Sequence, residues 1–226
     1  MSKNRRGVVL DRDGTLIDFV RDAELGVVTT AFHPDQIRFL PGVIEGLTIL
    51  SQAGFSLAIA TNQPGAAKGQ IPLFAIVRTN AALVSKLADH GIAIDAIEVC
   101  LHHPEGAPDG DASLQSTCKC RKPKPGMLVA IIDRLSLDRA SSWMIGDSAD
   151  DLAAARAAKM RAAILRDTGR CGLCPMRGDP AASSTQPDLM AARFDEIARS
   201  IANGSKYSGG LELSEARSHA HQDQRE

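Results

Sequence analysis

Short apolar runs alternate with stretches of helical spacing along most of this chain. Gly7–Leu10 is the first run, and its unbroken apolar character predicts a strand buried on both faces. Pro41–Ala53 repeats its apolar residues at helical spacing and stops at Gly54, a residue suited to ending a helix. Phe55–Ala60 predicts a second strand, which runs into Thr61-Asn62-Gln63-Pro64-Gly65. Leu73–His90 predicts a long amphipathic helix stopped by Gly91, and Ile94–Leu101 a third strand. Gly126–Leu137 reads as a helix, with Pro125 suited to its first turn. Trp143–Ile145, Ala149–Lys159 and Ala162–Leu165 then give strand, helix and strand.

Strands alternating with helices imply a mostly parallel sheet covered by helices on both faces, a Rossmann-like α/β fold. In that arrangement Asp11, Thr61 and Asp147 all fall at strand C-termini. Open α/β sheets bind their ligands at that edge. Two stretches break the alternation. Leu101–Pro123 is a long loop rich in Pro, Gly, His and Cys. From about Asn203 onward the chain is rich in Gly, Ser, His and charge, lacks apolar spacing, and is expected to be disordered. The expected organisation is one α/β domain over residues 1–202, with an unusual loop at about 100–123 and a tail over 203–226. No internal repeat is visible.

The 226 residues are 44% hydrophobic and 23% charged, which suits one soluble domain with an accessory segment, or at most two small domains. A net charge of −1 gives no field that favours nucleic acid or an anionic membrane. The basic start, Met1–Arg6, is followed by too short an apolar run for a signal peptide, and no stretch has the length of a membrane span. A cytoplasmic monomer with no nucleic-acid or membrane partner is expected. The five cysteines are odd in number and unevenly spread, which argues for a metal site or free thiols over a disulfide framework.

Asp11-Arg12-Asp13-Gly14-Thr15 sets two carboxylates one residue apart at a strand tip. Such concentrated charge is costly unless a cation or a reaction uses it. Each feature has a plainer account. Asp and Gly are common turn residues, and Asp147 and Asp151 would complement a helix N-terminus. Thr61-Asn62 would make a capping turn, and Lys122 a solvated loop residue. All of them falling at one sheet edge is the better argument for chemistry. In the loop, Cys100-Leu101-His102 is followed by fifteen residues and then Cys118-Lys119-Cys120. Three thiols and an imidazole suit tetrahedral Zn²⁺, and a full set of four protein ligands makes that zinc structural. The ion would staple a loop with no core of its own. His103 is an equally placed alternative to His102 on spacing alone. Cys171 and Cys174 have no matching second pair and read as surface thiols.

Four motifs in order, Asp11-Arg12-Asp13-Gly14-Thr15-Leu16, Thr61-Asn62-Gln63, Lys122 within Cys-Arg-Lys-Pro, and Gly146-Asp147 with Asp151, resemble those of the haloacid dehalogenase (HAD) phosphohydrolase superfamily. With the cysteine loop they resemble the small subgroup that holds heptose bisphosphate and histidinol phosphate phosphatases. The resemblance runs from about Gly7 to Gly169. It implies a Mg²⁺-dependent phosphomonoesterase with no large cap domain. Asp11 would be the nucleophile that forms an aspartyl-phosphate. Asp13 would protonate the leaving oxygen and then activate water. Mg²⁺ would sit on the Asp11 carboxylate, the Asp13 backbone carbonyl and Asp147, beside a substrate phosphate. Thr61 would donate its hydroxyl to that phosphate, and Lys122 would supply fixed positive charge. Asn62, Gln63, Arg121 and Lys122 would bind substrate, with Arg121 placed for a second phosphate. Asp151 would orient Lys122 or a metal-bound water. The family pattern favours Cys100, His102, Cys118 and Cys120 as the Zn²⁺ ligands.

The resemblance also implies a small phosphorylated metabolite as substrate. The Thr61–Gly69 run and His102–Gly106 look closer to the heptose bisphosphate loops than to the histidinol phosphate ones. The alternatives are a histidinol phosphatase, another small sugar-phosphate phosphatase, or a zinc-stapled binding protein on an inactive scaffold. Phe19–Gln36 is longer than the family segment and different from it, and Arg170–Gln186 has no clear counterpart.

Overall fold

The apolar run Gly7–Leu10 forms strand β1 with every residue buried, inside a six-stranded sheet. The computed structural model describes residues 5–22, 24, 26–166 and 186–204. The other strands of this sheet are β4 (Ser56–Asn62), β5 (Ala96–Cys100), β6 (Trp143–Gly146), β7 (Arg161–Leu165) and β8 (Leu189–Ala191). Their order is β5-β4-β1-β6-β7-β8 and every neighbouring pair is parallel. In register, Val9 of β1 faces Ala58 on one side and Met144 on the other. The chain winds outward from β1 through β4 to β5, then returns to β6 and winds the opposite way. The reversal lies beside β1, so the residue after β1 stands at the crevice where such sheets bind ligands.

Alternation along β1 explains why the sheet needs helices on both faces. Val8 and Leu10 join a core with α1 (Val43–Gln52), α2 (Leu73–Asp89) and α5 (Phe194–Ala202). Val9 points the other way, into a second core with α3 (Gly126–Leu135) and α4 (Ala149–Ala157). A separate antiparallel hairpin, β2 (Val20–Asp22) with β3 (Val27–Thr29), precedes α1, followed by a short 3₁₀ turn at Pro34–Gln36. No second folded domain is inserted among the described residues.

The predicted elements are present, with ends shifted by up to two residues; the second strand runs on to Asn62 and the fourth to Gly146. The third helix stops at Leu135 instead of Leu137, because Ser136 turns left-handed at φ 51°. The third strand begins at Ala96 instead of Ile94. The hairpin, β8 and α5 lie outside the predicted set. The strands concerned are three residues long, too short to show a period. Residues 205–226 of the expected disordered tail, Cys171, Cys174 and most of the Arg170–Gln186 segment lie outside the described residues. No helix among the described residues is long and apolar enough to cross a membrane.

Candidate active site

Asp11 is the first residue past β1, and its backbone N–H bonds the Ile145 carbonyl of β6 at 2.9 Å. Asp147 is the first residue past β6, and Thr61 is the penultimate residue of β4. Parallel pairing therefore brings all three to one sheet edge. Gly14 makes their approach possible. It holds φ +82°, and a Cβ there would meet Asp147 Oδ2 at 2.1 Å.

Lys122 arrives from the long loop and is 3% exposed. Its Nζ donates to Asp11 Oδ1 at 2.7 Å, Asp151 Oδ1 at 2.6 Å and the Ala60 carbonyl at 2.9 Å. Burial opposes the ammonium charge, yet Asp11 and Asp151 outweigh it and hold Lys122 above the ordinary lysine range. Asp151 opens α4 in a capping box with Ser148, whose hydroxyl donates to Oδ2 at 2.5 Å. Of the two tasks expected for Asp151, its geometry matches the orienting of Lys122.

Asp13 faces a different set. Arg12, fully buried, donates Nε to Asp13 Oδ2 at 3.0 Å and Nη2 to Oδ1 at 3.1 Å. Gln63 Nε2 donates to Oδ2 at 2.6 Å, and Thr30 Oγ1 to Oδ1 at 2.6 Å. Burial pushes the Asp13 carboxyl up, but the Arg12 charge and these hydrogen bonds outweigh it and hold it below its usual range. Arg12 itself is anchored by Asn80 Oδ1 of α2 at 2.5 Å.

Two expected substrate ligands have other engagements. Asn62 exchanges a pair of 3.1 Å bonds with the Lys122 backbone, its Nδ2 donating to the carbonyl and its Oδ1 accepting from the N–H. Gln63 is 2% exposed, and its amide bonds Asp13 and, at 2.9 Å, Thr61 Oγ1. The structure thus makes Asn62 a clasp on the lysine loop and Gln63 a brace behind Asp13. Thr30 and Asn80 gave no signal in the sequence, since each acts through a contact between distant elements, whereas the spacing of Ser148 and Asp151 is that of a capping box.

Asp11, Asp13, Thr61, Asn62, Arg121, Lys122 and Ser148 line a cleft of about 360 Å³. A second cleft of about 360 Å³ adjoins it, sharing Arg121, Lys122 and Asp150 and adding His103 and Lys124. Arg121 stands between the two, with a solvent-shielded Nη1 that meets no acceptor among the described residues. The donor set fits a divalent cation. Carboxylate oxygens of Asp11, Asp147 and Asp151 lie within 4.8 Å of one another. Four carboxylates (Asp11, Asp13, Asp147, Asp151) against two cations (Arg12, Lys122) leave a formal −2, which a divalent hard ion with oxygen ligands offsets.

Cys100, His102, Cys118 and Cys120 also converge. Cys100 Sγ lies 3.6 Å from Cys118 Sγ and 3.3 Å from Cys120 Sγ, and His102 Nδ1 lies 3.5 Å from Cys120 Sγ. A tetrahedral Zn²⁺ with bonds near 2.3 Å sets sulfurs about 3.8 Å apart, so the set fits that ion. His103 turns away and bonds the Glu105 backbone through Nδ1. The loop contributes no buried residue to the apolar cluster beside it, and rests on that cluster from outside. Leu101 and Leu114 pack on a small cluster of Ala66, Ile71 and Ile76.

The HAD-hydrolase-like family model matches residues 119–197. The chain is 36% identical over 170 residues to the D-glycero-beta-D-manno-heptose-1,7-bisphosphate 7-phosphatase of Yersinia pestis, covering 75% of this chain and 85% of that protein. It is 35% identical over 170 residues to the Escherichia coli K12 protein of the same name, covering 75% and 83%. A crystal structure of D,D-heptose 1,7-bisphosphate phosphatase from B. bronchiseptica, complexed with magnesium and phosphate, superposes with a TM-score of 0.68 at 26% identity. It covers 88% of this chain and 99% of that one.

Proposed function

Since the chain belongs to the HAD phosphatases, alongside the heptose bisphosphate phosphatases it resembles at 35–36% identity, we propose that it removes the 7-phosphate of a D-glycero-D-manno-heptose 1,7-bisphosphate. The observation that carries this reading is the Lys122 ammonium held between Asp11 and Asp151, 2.7 Å and 2.6 Å away. It joins the proposed nucleophile to a fixed positive charge inside a cleft of substrate size.

In the proposed reaction an Asp11 oxygen attacks phosphorus in line with the leaving sugar oxygen. An aspartyl-phosphate forms and the P–O bond to the sugar breaks, while Asp13, ionised in the free site and taking up a proton as the anionic substrate enters, gives that proton to the departing oxygen. Water then attacks the aspartyl-phosphate, Asp13 takes its proton, and inorganic phosphate leaves. Lys122 and the Thr61 hydroxyl hold the transferring oxygens, and Lys122 also holds the Asp11 carboxylate in aim. Mg²⁺ held by Asp11, Asp147 and the Asp13 carbonyl would supply charge neutralisation for two anions that must meet. Arg121 is proposed to take the second phosphate, supported by its shielded Nη1 and its position between the two clefts. Zn²⁺ on Cys100, His102, Cys118 and Cys120 is proposed as structural, in a cytoplasmic enzyme where thiols stay reduced. A monomer is the proposed working unit, since one chain assembles the whole cleft.

The test is phosphate release with Mg²⁺ from both anomers of heptose 1,7-bisphosphate, histidinol phosphate and fructose 1,6-bisphosphate, for wild type, Asp11→Asn and Arg121→Ala. Strong preference for one heptose anomer, no turnover by Asp11→Asn, and a raised KM for the bisphosphate in Arg121→Ala are expected. Preference for histidinol phosphate with no effect of Arg121→Ala would replace the substrate assignment. No turnover of any ester by wild type would point to a binding protein on this scaffold.

A further inference from the structure

We infer that Thr30 is a positioning residue for Asp13, holding the acid–base carboxylate in aim through both halves of the reaction; the inference rests on the phosphatase reading above. Thr30 directly follows β3, inside the segment Phe19–Gln36 that departs from the family pattern. Its hydroxyl donates to Asp13 Oδ1 at 2.6 Å and accepts from Arg12 Nη2. The Arg12 guanidinium is in turn fixed by Asn80 Oδ1 at 2.5 Å and the Ala31 carbonyl at 3.2 Å. Hairpin and α2 therefore converge on one carboxylate that also lines the reaction cleft.

The donors differ in what they can do. Guanidinium N–H groups and an amide NH₂ only donate, whereas a hydroxyl donates or accepts. Gln63 Oε1 lies 3.4 Å from Thr30 Oγ1 and offers the Thr30 hydrogen a second acceptor. Thr30 and Arg12 Nη2 hold Oδ1, while Gln63 Nε2 and Arg12 Nε hold Oδ2. Thr30 supplies the hold on Oδ1 that comes from the chain just after the hairpin, so the carboxylate is fixed in one orientation beside the cleft.

The experiment compares wild type, Thr30→Val, Thr30→Ala, Thr30→Ser and Asp13→Asn on fructose 1,6-bisphosphate and on p-nitrophenyl phosphate, with Mg²⁺. An alkyl leaving group needs a proton, and nitrophenolate leaves with little help. Thr30→Val and Thr30→Ala are expected to lower kcat on the sugar phosphate about tenfold or more, a part of the 10²–10⁴-fold that acid–base catalysis contributes. KM should stay within about twofold, the loss on the aryl ester should be below about threefold, and Thr30→Ser should restore kcat. Equal losses on both esters, or failure of serine to rescue, would overturn the inference and leave Thr30 a structural residue. A leaving-group contrast in Asp13→Asn with none in the Thr30 variants overturns the inference alone. No contrast in Asp13→Asn removes the acid role of Asp13 and the inference with it.

Discussion

At the scale of single residues, the site is built by pairing charges that could not be buried alone. Arg12 is fully buried and has Asp13 as its counter-ion. Asp13→Asn strips that partner and leaves a buried cation uncompensated, a loss of about 3–5 kcal/mol at neutral pH. The folded Asp13 carboxyl lies below its ordinary value. Its contribution is therefore complete above the unfolded carboxyl value of about 3.9 and fades as pH falls through the folded one. Urea unfolding across pH should show wild type and Asp13→Asn well separated at pH 7 and converging below about pH 4; parallel curves would refute the pairing. Gly14 is the second decisive residue. Gly14→Ala adds a left-handed strain of about 1–2 kcal/mol and a Cβ that meets Asp147 Oδ2 at 2.1 Å. The Mg²⁺ concentration for half-maximal phosphate release should rise, as a Mg²⁺ titration would show, because Asp147 must move.

At the scale of elements, α5 closes the core on the α1 face. Phe194 has no exposed surface and packs where Gly46 of α1 lacks a side chain; a Cβ there would lie 2.5 Å from Phe194 Cδ1. Phe194→Ala should cost about 3–5 kcal/mol in urea unfolding, and a cost below about 1 kcal/mol would mean that α5 is not part of the core. The sequence does carry this helix in the spacing of Phe194, Ile197, Ala198 and Ile201, one stripe of a short amphipathic helix. The hairpin differs. Val20–Asp22 and Val27–Thr29 are too short to announce a period, and Val27 and Val28 remain about 40–50% exposed, so no buried face marks them.

At the scale of the whole molecule, the cleft depends on the lysine loop reaching back to the sheet. Cys100 ends β5, Cys118 and Cys120 precede Lys122, and the thiols meet although 18 and 20 residues separate them. Cys118→Ser should bind less zinc by elemental analysis and unfold at a lower temperature. A loss of about 2 kcal/mol corresponds to a midpoint roughly 4–8 °C lower. A variant that keeps its midpoint while losing zinc would show that the Leu101 and Leu114 contacts hold the loop unaided. By itself the sequence determined the alternating α/β layout, the strand ends that present Asp11, Thr61 and Asp147, and the clustering of thiols and imidazole. Those features are local, set by apolar period, turn residues and short spacing. Only the tertiary structure decided what the polar groups do once gathered. Asn62 clasps the Lys122 backbone, Gln63 and Thr30 brace Asp13, Asp151 takes the lysine, and His102 instead of His103 joins the thiols. A hydrogen bond is chosen by distance and direction between groups far apart in the chain, and no spacing along one segment encodes that choice.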